Sequence, residues 1–428
     1  MTATTQAKPI ILIIGIPDQE TAKRITEFGK KRGKKYRYAV LHNTEPVSNL
    51  DREIFSYFDI KIICDVASDQ AIQRSLDPYR EELIAVTVPR AEKYIPWLQR
   101  IIPHVPNLKT PTVESLAWAT SKIQMRERMQ DYDKKLCPAF MIVQNANAKT
   151  LKQIEDAIGF PMIIKPTGLA ASLLVNIAFH KDELEISLHR IFRKIHAQYK
   201  KWEGRGEPQV LVEQFMEGEM YSIDCYVSSS GKIYYCPLVH VKTGRSIGFD
   251  DFFGYQQITP TMLRPENIKK ARECAHKAIR ALALFNTTAH IELMRTEHGW
   301  KIIELGPRMG GFRDLMYQLS YGFNHTQNDI ANRTGQRPKL SRKVLGYTAS
   351  LKLFARKEGV ITNLLGIKKV QELESFHSME QNSKIGDKAI FAKHGGKSVF
   401  NIFLFNKERS NLLADIRRLE QTVSIETA

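Results

Sequence analysis

The chain has 428 residues, 63 Lys and Arg against 46 Asp and Glu for a formal charge of +17, and five cysteines. Its hydrophobic share of 43%, with only 24 Gly and 18 Pro, is that of an ordinary globular protein and not of a collagen, a coiled coil or a disordered chain. At ~150 residues per domain this length suggests about three domains.

The longest early apolar run, Ile10 to Ile16, is far short of the ~20 residues a membrane helix needs and leads straight into Asp18 and Glu20. It reads as a buried first strand, and no membrane partner is expected. Cys64, Cys137, Cys225, Cys236 and Cys274 are scattered and form no CxxC pair, so neither a disulfide framework nor a zinc site is indicated. The expected setting is reducing and cytoplasmic. The one dense basic cluster, Lys30, Lys31, Arg32, Lys34 and Lys35, follows the first predicted helix, where cations meet the negative end of the helix dipole. No aromatic-studded basic motif accompanies it, so no specific nucleic-acid partner is expected.

Residues 1–111 alternate strand-like and helix-like patterns: a strand over Pro9 to Ile16, a helix over Gln19 to Lys31, and strands over Arg37 to His42, Lys61 to Asp65 and Leu83 to Val88. This rhythm predicts an α/β fold opening with a doubly wound parallel sheet. The turn after the first strand has one glycine, Gly15, and lacks the GxGxxG of a dinucleotide site. Pro103, Pro106 and Pro111 mark a boundary. A second domain, 112–339, then begins with a helix over Val113 to Asp131 and a strand to Val143. A helix over Thr150 to Ile158, a strand over Pro161 to Lys165 and a helix over Lys181 to Lys201 follow. Strands over Val210 to Phe215, Met220 to Val227 and Lys232 to His240, a polar loop, a helix over Glu266 to Leu284 and a hairpin over Ala289 to Leu305 complete it. Residues 340–428 read as a small β-rich C-terminal lobe ending in a charged helix and one short strand.

The hairpin carries the chemistry. Glu292 and Glu304 flank the turn-like Thr296-Glu297-His298-Gly299, and closure about residue 298 sets the two carboxylates directly opposite each other. Opposed side chains of an antiparallel pair lie ~4.5–5.5 Å apart at Cβ, where like charges repel. Ile291, Leu293, Ile303 and Leu305 alternate with the glutamates and are predicted to fill the other face. A hard divalent cation would relieve the repulsion. Magnesium typically takes one or two carboxylates plus substrate phosphates, so magnesium with a nucleotide is the natural inference. Met294 and Ile302 form the next expected cross-strand pair, a flat seat for a purine. Arg308 stands four positions beyond Glu304 as a donor to phosphate or carboxylate, and Gly310-Gly311 permit a tight turn beside a ligand.

With these residues the chain resembles the ATP-grasp superfamily, in particular its carboxylate–amine and L-amino acid ligases. Three further segments carry the likeness: Ala119-Thr120-Ser121-Lys122-Ile123-Gln124-Met125-Arg126, Phe160-Pro161-Met162-Ile163-Ile164-Lys165-Pro166, and Val212-Glu213-Gln214-Phe215-Met216-Glu217-Gly218. The resemblance implies a two-lobed α+β ATP-grasp domain, with Lys122 and Lys165 on the ATP phosphates. It further implies Glu213 accepting from the adenine amino group, the backbone of Phe215 and Met216 on the purine edge, and Glu292 and Glu304 holding Mg2+, with Mn2+ as an alternative. Ser172 of the phosphate-covering loop, Glu219 and Met294 complete the implied nucleotide set, and Arg308 contacts phosphate or the carboxylate substrate. This sequence departs from the family pattern in three places. The covering loop reads Thr167-Gly168-Leu169-Ala170-Ala171-Ser172 with one glycine, Met220 stands where a ribose-binding Glu is expected, and Gly306 stands where many members have a metal-binding Asn.

The implied activity is ATP-dependent joining of a carboxylate to an amine through an acyl phosphate, with small acids and amines, amino acids among them, as partners. A non-catalytic ATP-binding regulatory protein and a bicarbonate-using carboxylase are the alternatives, and the oligomeric state is left open, a homodimer among the options. Lys242 and Arg245, on the polar loop, are candidates for holding the transferred phosphate or an acidic substrate. Arg313 is a further candidate of the same kind, and His290 is assigned no functional role.

Overall fold

The computed structural model describes residues 8–428 other than 31–32, 44–47, 90, 170–172, 203 and 205. Lys31, Arg32 and Ser172 therefore lie outside the described residues. Strands β1 (Ile10–Ile14), β2 (Arg37–His42), β3 (Ile60–Ile63) and β4 (Leu83–Thr87) form a parallel sheet in the order β3-β2-β1-β4. Every residue of β1 is buried, because crossover helices cover both faces of a parallel sheet and leave no polar side to alternate with.

A second, antiparallel sheet holds β5 (Phe140–Val143), β6 (Met162–Pro166), β7 (Asn176–Ala178) and β8 (Val210–Gln214) in the order β5-β8-β6-β7. The helix Lys181–Trp202 closes one side of it with Leu184, Leu188, Ile191 and Ile195, an apolar stripe at helical spacing.

The largest sheet collects β9 (Glu219–Val227), β10 (Ile233–Tyr235), β11 (Val239–Thr243), β12 (Gly254–Thr259), β13 (Thr287–Thr296), β14 (Gly299–Gly306) and β15 (Tyr347–Leu353). The chain continues through β16 (Gly359–Leu365), β17 (Phe376–Gln381), β18 (Lys388–Ala389), β19 (Phe400–Asn406) and β20 (Ser424–Thr427). The order is β14-β13-β9-β11-β12-β15-β19-β17, with β10 on β9, while β18, β16 and β20 make a separate three-stranded sheet. The C-terminal strands β15, β19 and β17 thus extend the sheet that carries the glutamate hairpin.

Three segments differ from the sequence reading for local reasons. The helix expected over Val113 to Asp131 is two helices, Val113–Thr120 and Lys122–Tyr132, because Ser121 turns extended and its side chain accepts from the Gln124 N–H, the preference of serine for N-caps over helix interiors. Lys122 thereby opens a new helix. The strand expected over Lys232 to His240 splits into β10 and β11 around Cys236, Pro237 and Leu238, since proline supplies no ladder donor. The polar stretch after His240 is a hairpin from β11 to β12 through a short 3-10 turn, Gly244–Ile247, not an open loop running to a helix.

Candidate active site

The hairpin of β13 and β14 places Glu292 directly opposite Glu304. Just beyond this pair the register shifts, with Leu293 opposite Ile302 and Met294 opposite Lys301. Ile303 is therefore an extra residue on β14, a β-bulge. The bulge overturns two readings made from strict alternation. Ile302 does not pair with Met294 but is fully buried in the core beneath the hairpin, and Ile303 is displaced from that core.

Both lysines converge on this face. Lys122, at the first position of its helix, has its Nζ 3.3 Å from Glu304 Oε1 and donates to the Leu169 carbonyl at 3.0 Å. Lys165 leaves β6 between the buried Ile164 and Pro166 and reaches Glu213 Oε2 at 2.7 Å. Arg126, one helical turn after Lys122, meets Glu213 Oε1 through Nε at 2.6 Å and donates from Nη2 to the Ile303 carbonyl at 2.6 Å. The bulged residue's carbonyl, which the ladder leaves without a partner, is thus satisfied by a guanidinium from another element.

The electrostatics follow from these contacts. Burial works to raise the Glu213 pKa, but Arg126 and then Lys165 outweigh it and bring it down to about 2. Glu304 is opposed by burial in the same way and lowered by Lys122 and then Lys165 to about 2. Its side chain keeps 43% exposure, so water screens part of that field. Lys165 is shifted downward, chiefly by burial, with Arg126 and Lys122 adding to the effect and Glu213 opposing it. At neutral pH both glutamates carry charge.

Behind Glu292 lies a buried polar chain that the sequence reading missed. His290 Nε2 is 3.6 Å from Glu292 Oε1, and its Nδ1 is 2.6 Å from Asp224 Oδ1. Asp224, fully buried, accepts from the Gly310 N–H at 2.8 Å and lies 2.7 Å from His325 Nε2. Tyr226 Oη in turn contacts His325 Nδ1. Burial alone would raise the Asp224 pKa, but His290 and His325 hold it well below the usual carboxylate range. The available signal was an Asp set between two apolar residues, Ile223 and Cys225. Gly310 is required here because a Cβ would overlap the His290 ring. Gly310→Ala is expected to lose about 1–3 kcal/mol of stability by overpacking, measured by urea unfolding.

Other predicted residues are placed elsewhere. Val241 pairs with Met220, and Met220 with Met294, two residues from Glu292. Strand alternation therefore puts Lys242, exposed, on the opposite sheet face from the glutamates. Arg245 sits in the 3-10 turn and pairs with Asp250 at 3.1 Å. Strand β9 keeps unbroken register with β13 from Glu219 to Val227. Glu219 accordingly faces away from Met220, tied to Arg295 at 3.0 Å and accepting from Tyr221 Oη at 3.1 Å. Both Glu213 oxygens are engaged, Oε1 by Arg126 and Oε2 by Lys165, so this carboxylate also holds Lys165 in place. The Phe215 N–H donates to the Pro161 carbonyl at 2.9 Å.

Arg308 remains beside the glutamates, its field lowering the Glu304 pKa, and Nη2 binds Glu92 of the first domain at 2.9 Å. Arg313, at the start of the helix Arg313–Tyr321, is buried and donates from Nη2 to Ser222 Oγ at 2.7 Å and from Nη1 to Gln257 Oε1. Among the described residues no group of three or more His, Cys, Asp or Glu could hold a metal by itself. Two facing carboxylates fit magnesium, whose remaining oxygens come from phosphates and water.

Comparison with known proteins agrees with this geometry. Residues 158–314 match the ATP-grasp domain family. The alanine–anticapsin ligase of Bacillus subtilis (strain 168) is 30% identical over 185 residues, 40% of this chain and 38% of that protein. An uncharacterized protein, y4rH, of Sinorhizobium fredii is 26% identical over 266 residues, 61% of this chain and 51% of its own length. The chain thus spans about half or less of these relatives. The crystal structure of the L-amino acid ligase from Bacillus licheniformis superposes with a TM-score of 0.79 at 16% identity, over 99% of this chain and 100% of that one. The match to the ATP-grasp domain family is confined to residues 158–314, and the chain as a whole shares the fold of that solved ligase.

Proposed function

We propose that this protein is an ATP-dependent ligase that joins a carboxylate to an amine and releases ADP and phosphate. The observation that carries the reading is the convergence of Lys122, Lys165 and Arg308 on the facing pair Glu292 and Glu304. A free carboxylate resists attack by an amine and has to be activated first. In the proposed reaction a carboxylate oxygen attacks the γ-phosphorus, the bond to the bridging oxygen breaks and ADP leaves. The amine nitrogen then attacks the acyl carbon and phosphate departs with the former carboxylate oxygen.

Phosphoryl transfer asks a protein for positioning and charge stabilisation rather than for a nucleophile. Lys122 and Lys165 are placed to hold phosphate oxygens, with Glu213 and Arg126 fixing Lys165. Arg308 is placed for the oxygens of the transferred phosphate or of the acid. Magnesium, held by Glu292 and Glu304 and replaceable by manganese, supplies further neutralisation of the phosphates. Met294 and Met220, adjacent across β13 and β9, offer the base an apolar seat. The names of two of the similar proteins, the alanine–anticapsin ligase and the L-amino acid ligase, support amino acids as substrates here. Pairwise mixtures of amino acids and small acids are expected to give ADP and phosphate release, with product mass equal to the two substrates less water. ATP binding without phosphate release from any pair would instead support a nucleotide-binding regulator.

A further inference from the structure

Arg313 and Lys352 are two neighbouring cations, and among the described residues neither is ion-paired to an acid. Lys352 on β15 shares a sheet face with Ser350, and Ser350 lies opposite Gln257 on β12. Arg313 spans from that Gln257 to Ser222 on β9, and Ser222 lies opposite Glu292 on β13, so Lys352, Arg313 and Glu292 share one face of the sheet. The Lys352 ammonium sits 5.2 Å from the centre of the Phe312 ring. Lys352 is half-buried, and among the described residues its ammonium has no hydrogen bond or ion pair. Arg313 donates only to neutral groups, and its Nε is buried without a partner. Burial foremost, then Arg313, pushes the Lys352 pKa down, with Glu292 only partly opposing.

Unpaired cations removed from water and set side by side are costly, so this corner lacks a negative charge. We propose that a second anionic group of one substrate, distinct from the carboxylate that is activated, is held between Lys352 and Arg313. The inference rests on the ligase reading above. The activated carboxylate has to reach the phosphates, which Lys122, Lys165 and Glu304 place at the hairpin. Lys352 stands on β15, beyond β9, β11 and β12 in sheet order, and so meets a different part of the substrates. The group is a carboxylate or a phosphate, to which a guanidinium fork and an ammonium both donate well. It belongs either to the amine, making that substrate an amino acid, or to the acid, making it a diacid or a phosphorylated acid.

The test is calorimetric titration of the full chain with Mg2+ and a non-hydrolysable ATP analogue, using amino acids, their carboxamides, small diacids and phosphorylated acids, and the diacid monoesters. Wild type is expected to bind at least one anionic ligand about tenfold or more tightly than its neutral counterpart. Lys352→Met removes that preference and Lys352→Arg restores it, with nucleotide affinity unchanged in both, because a charge-assisted hydrogen bond is worth about ten- to hundredfold in affinity. The amino-acid and diacid arms tell which substrate carries the group. Equal binding of charged and neutral forms, no binding of any anionic ligand, or a preference that survives Lys352→Met overturns the site. Phosphate release is followed in parallel. Charge-selective binding without release from any pair refutes the ligase reading and keeps the anion site, and release without charge selectivity does the reverse.

Discussion

Replacing Glu304 with alanine is expected to abolish the proposed ATP turnover, and Lys165→Ala to do the same, each lowering it by at least ~10²–10³-fold, the loss typical of deleting one electrostatic contact to a reacting centre. The reason lies in the paired geometry. Glu304 faces Glu292 and anchors the Lys122 ammonium at 3.3 Å, so its removal leaves Glu292 without its opposite number and Lys122 without its tether. Its folded pKa of about 2 keeps it ionised throughout the working range, so a loss of rate between pH 5 and 7 would have another origin. Steady-state ADP release from the two variants is the measurement, and near-normal turnover in either defeats the assignment of the site.

Arg126→Met is expected to destabilise the fold by about 3–5 kcal/mol, the usual consequence of breaking a buried ion pair from one side. The arginine is 2% exposed and Glu213 3%, and the substitution also strands the Ile303 carbonyl. The pH dependence has a definite sign. Glu213 is depressed from 4.5 to about 2 on folding, so its contribution is fully present above about pH 4.5 and is lost as pH falls toward 2, where the unfolded chain takes up the proton first. Urea unfolding between pH 7 and 3 should show a steeper acid loss in wild type than in the variant. Parallel curves would mean that the pair contributes nothing.

Much of this site was legible in the sequence because the period of two along a strand is rigid. The distance from Glu292 to Glu304 and the turn between them determined which side chains meet. The same rule failed one residue later, where the bulge at Ile303 sent Ile302 into the core and left Met294 opposite Lys301. Nothing in the residue types of that stretch marks a bulge, and the Arg126 guanidinium that satisfies its carbonyl lies far back in the chain. Lys242 was missed in the opposite sense. A segment read as a loop has no assignable face, and once it is a strand its alternation turns that side chain away. Asp224, His325 and Arg126 show the wider limit: their partners lie 66 to 101 residues away in the chain, and only the folded topology brings them together. The parallel first sheet, by contrast, was readable from local apolar runs, since β1, β2 and β4 are buried along most of their length.

Arg126 belongs to neither large antiparallel sheet, yet it holds both. One edge of its guanidinium grips Glu213 on β8, in the four-stranded sheet, and Nη2 also reaches the Ile303 carbonyl on β14, in the nine-stranded one. Any swing of the smaller sheet away from the larger strains this side chain before it strains β7, at the far edge of the order β5-β8-β6-β7. A parting of the two sheets about this guanidinium would widen the gap most at β7, carry Lys165 on β6 through an intermediate arc, and leave Glu213 on β8 nearest the pivot.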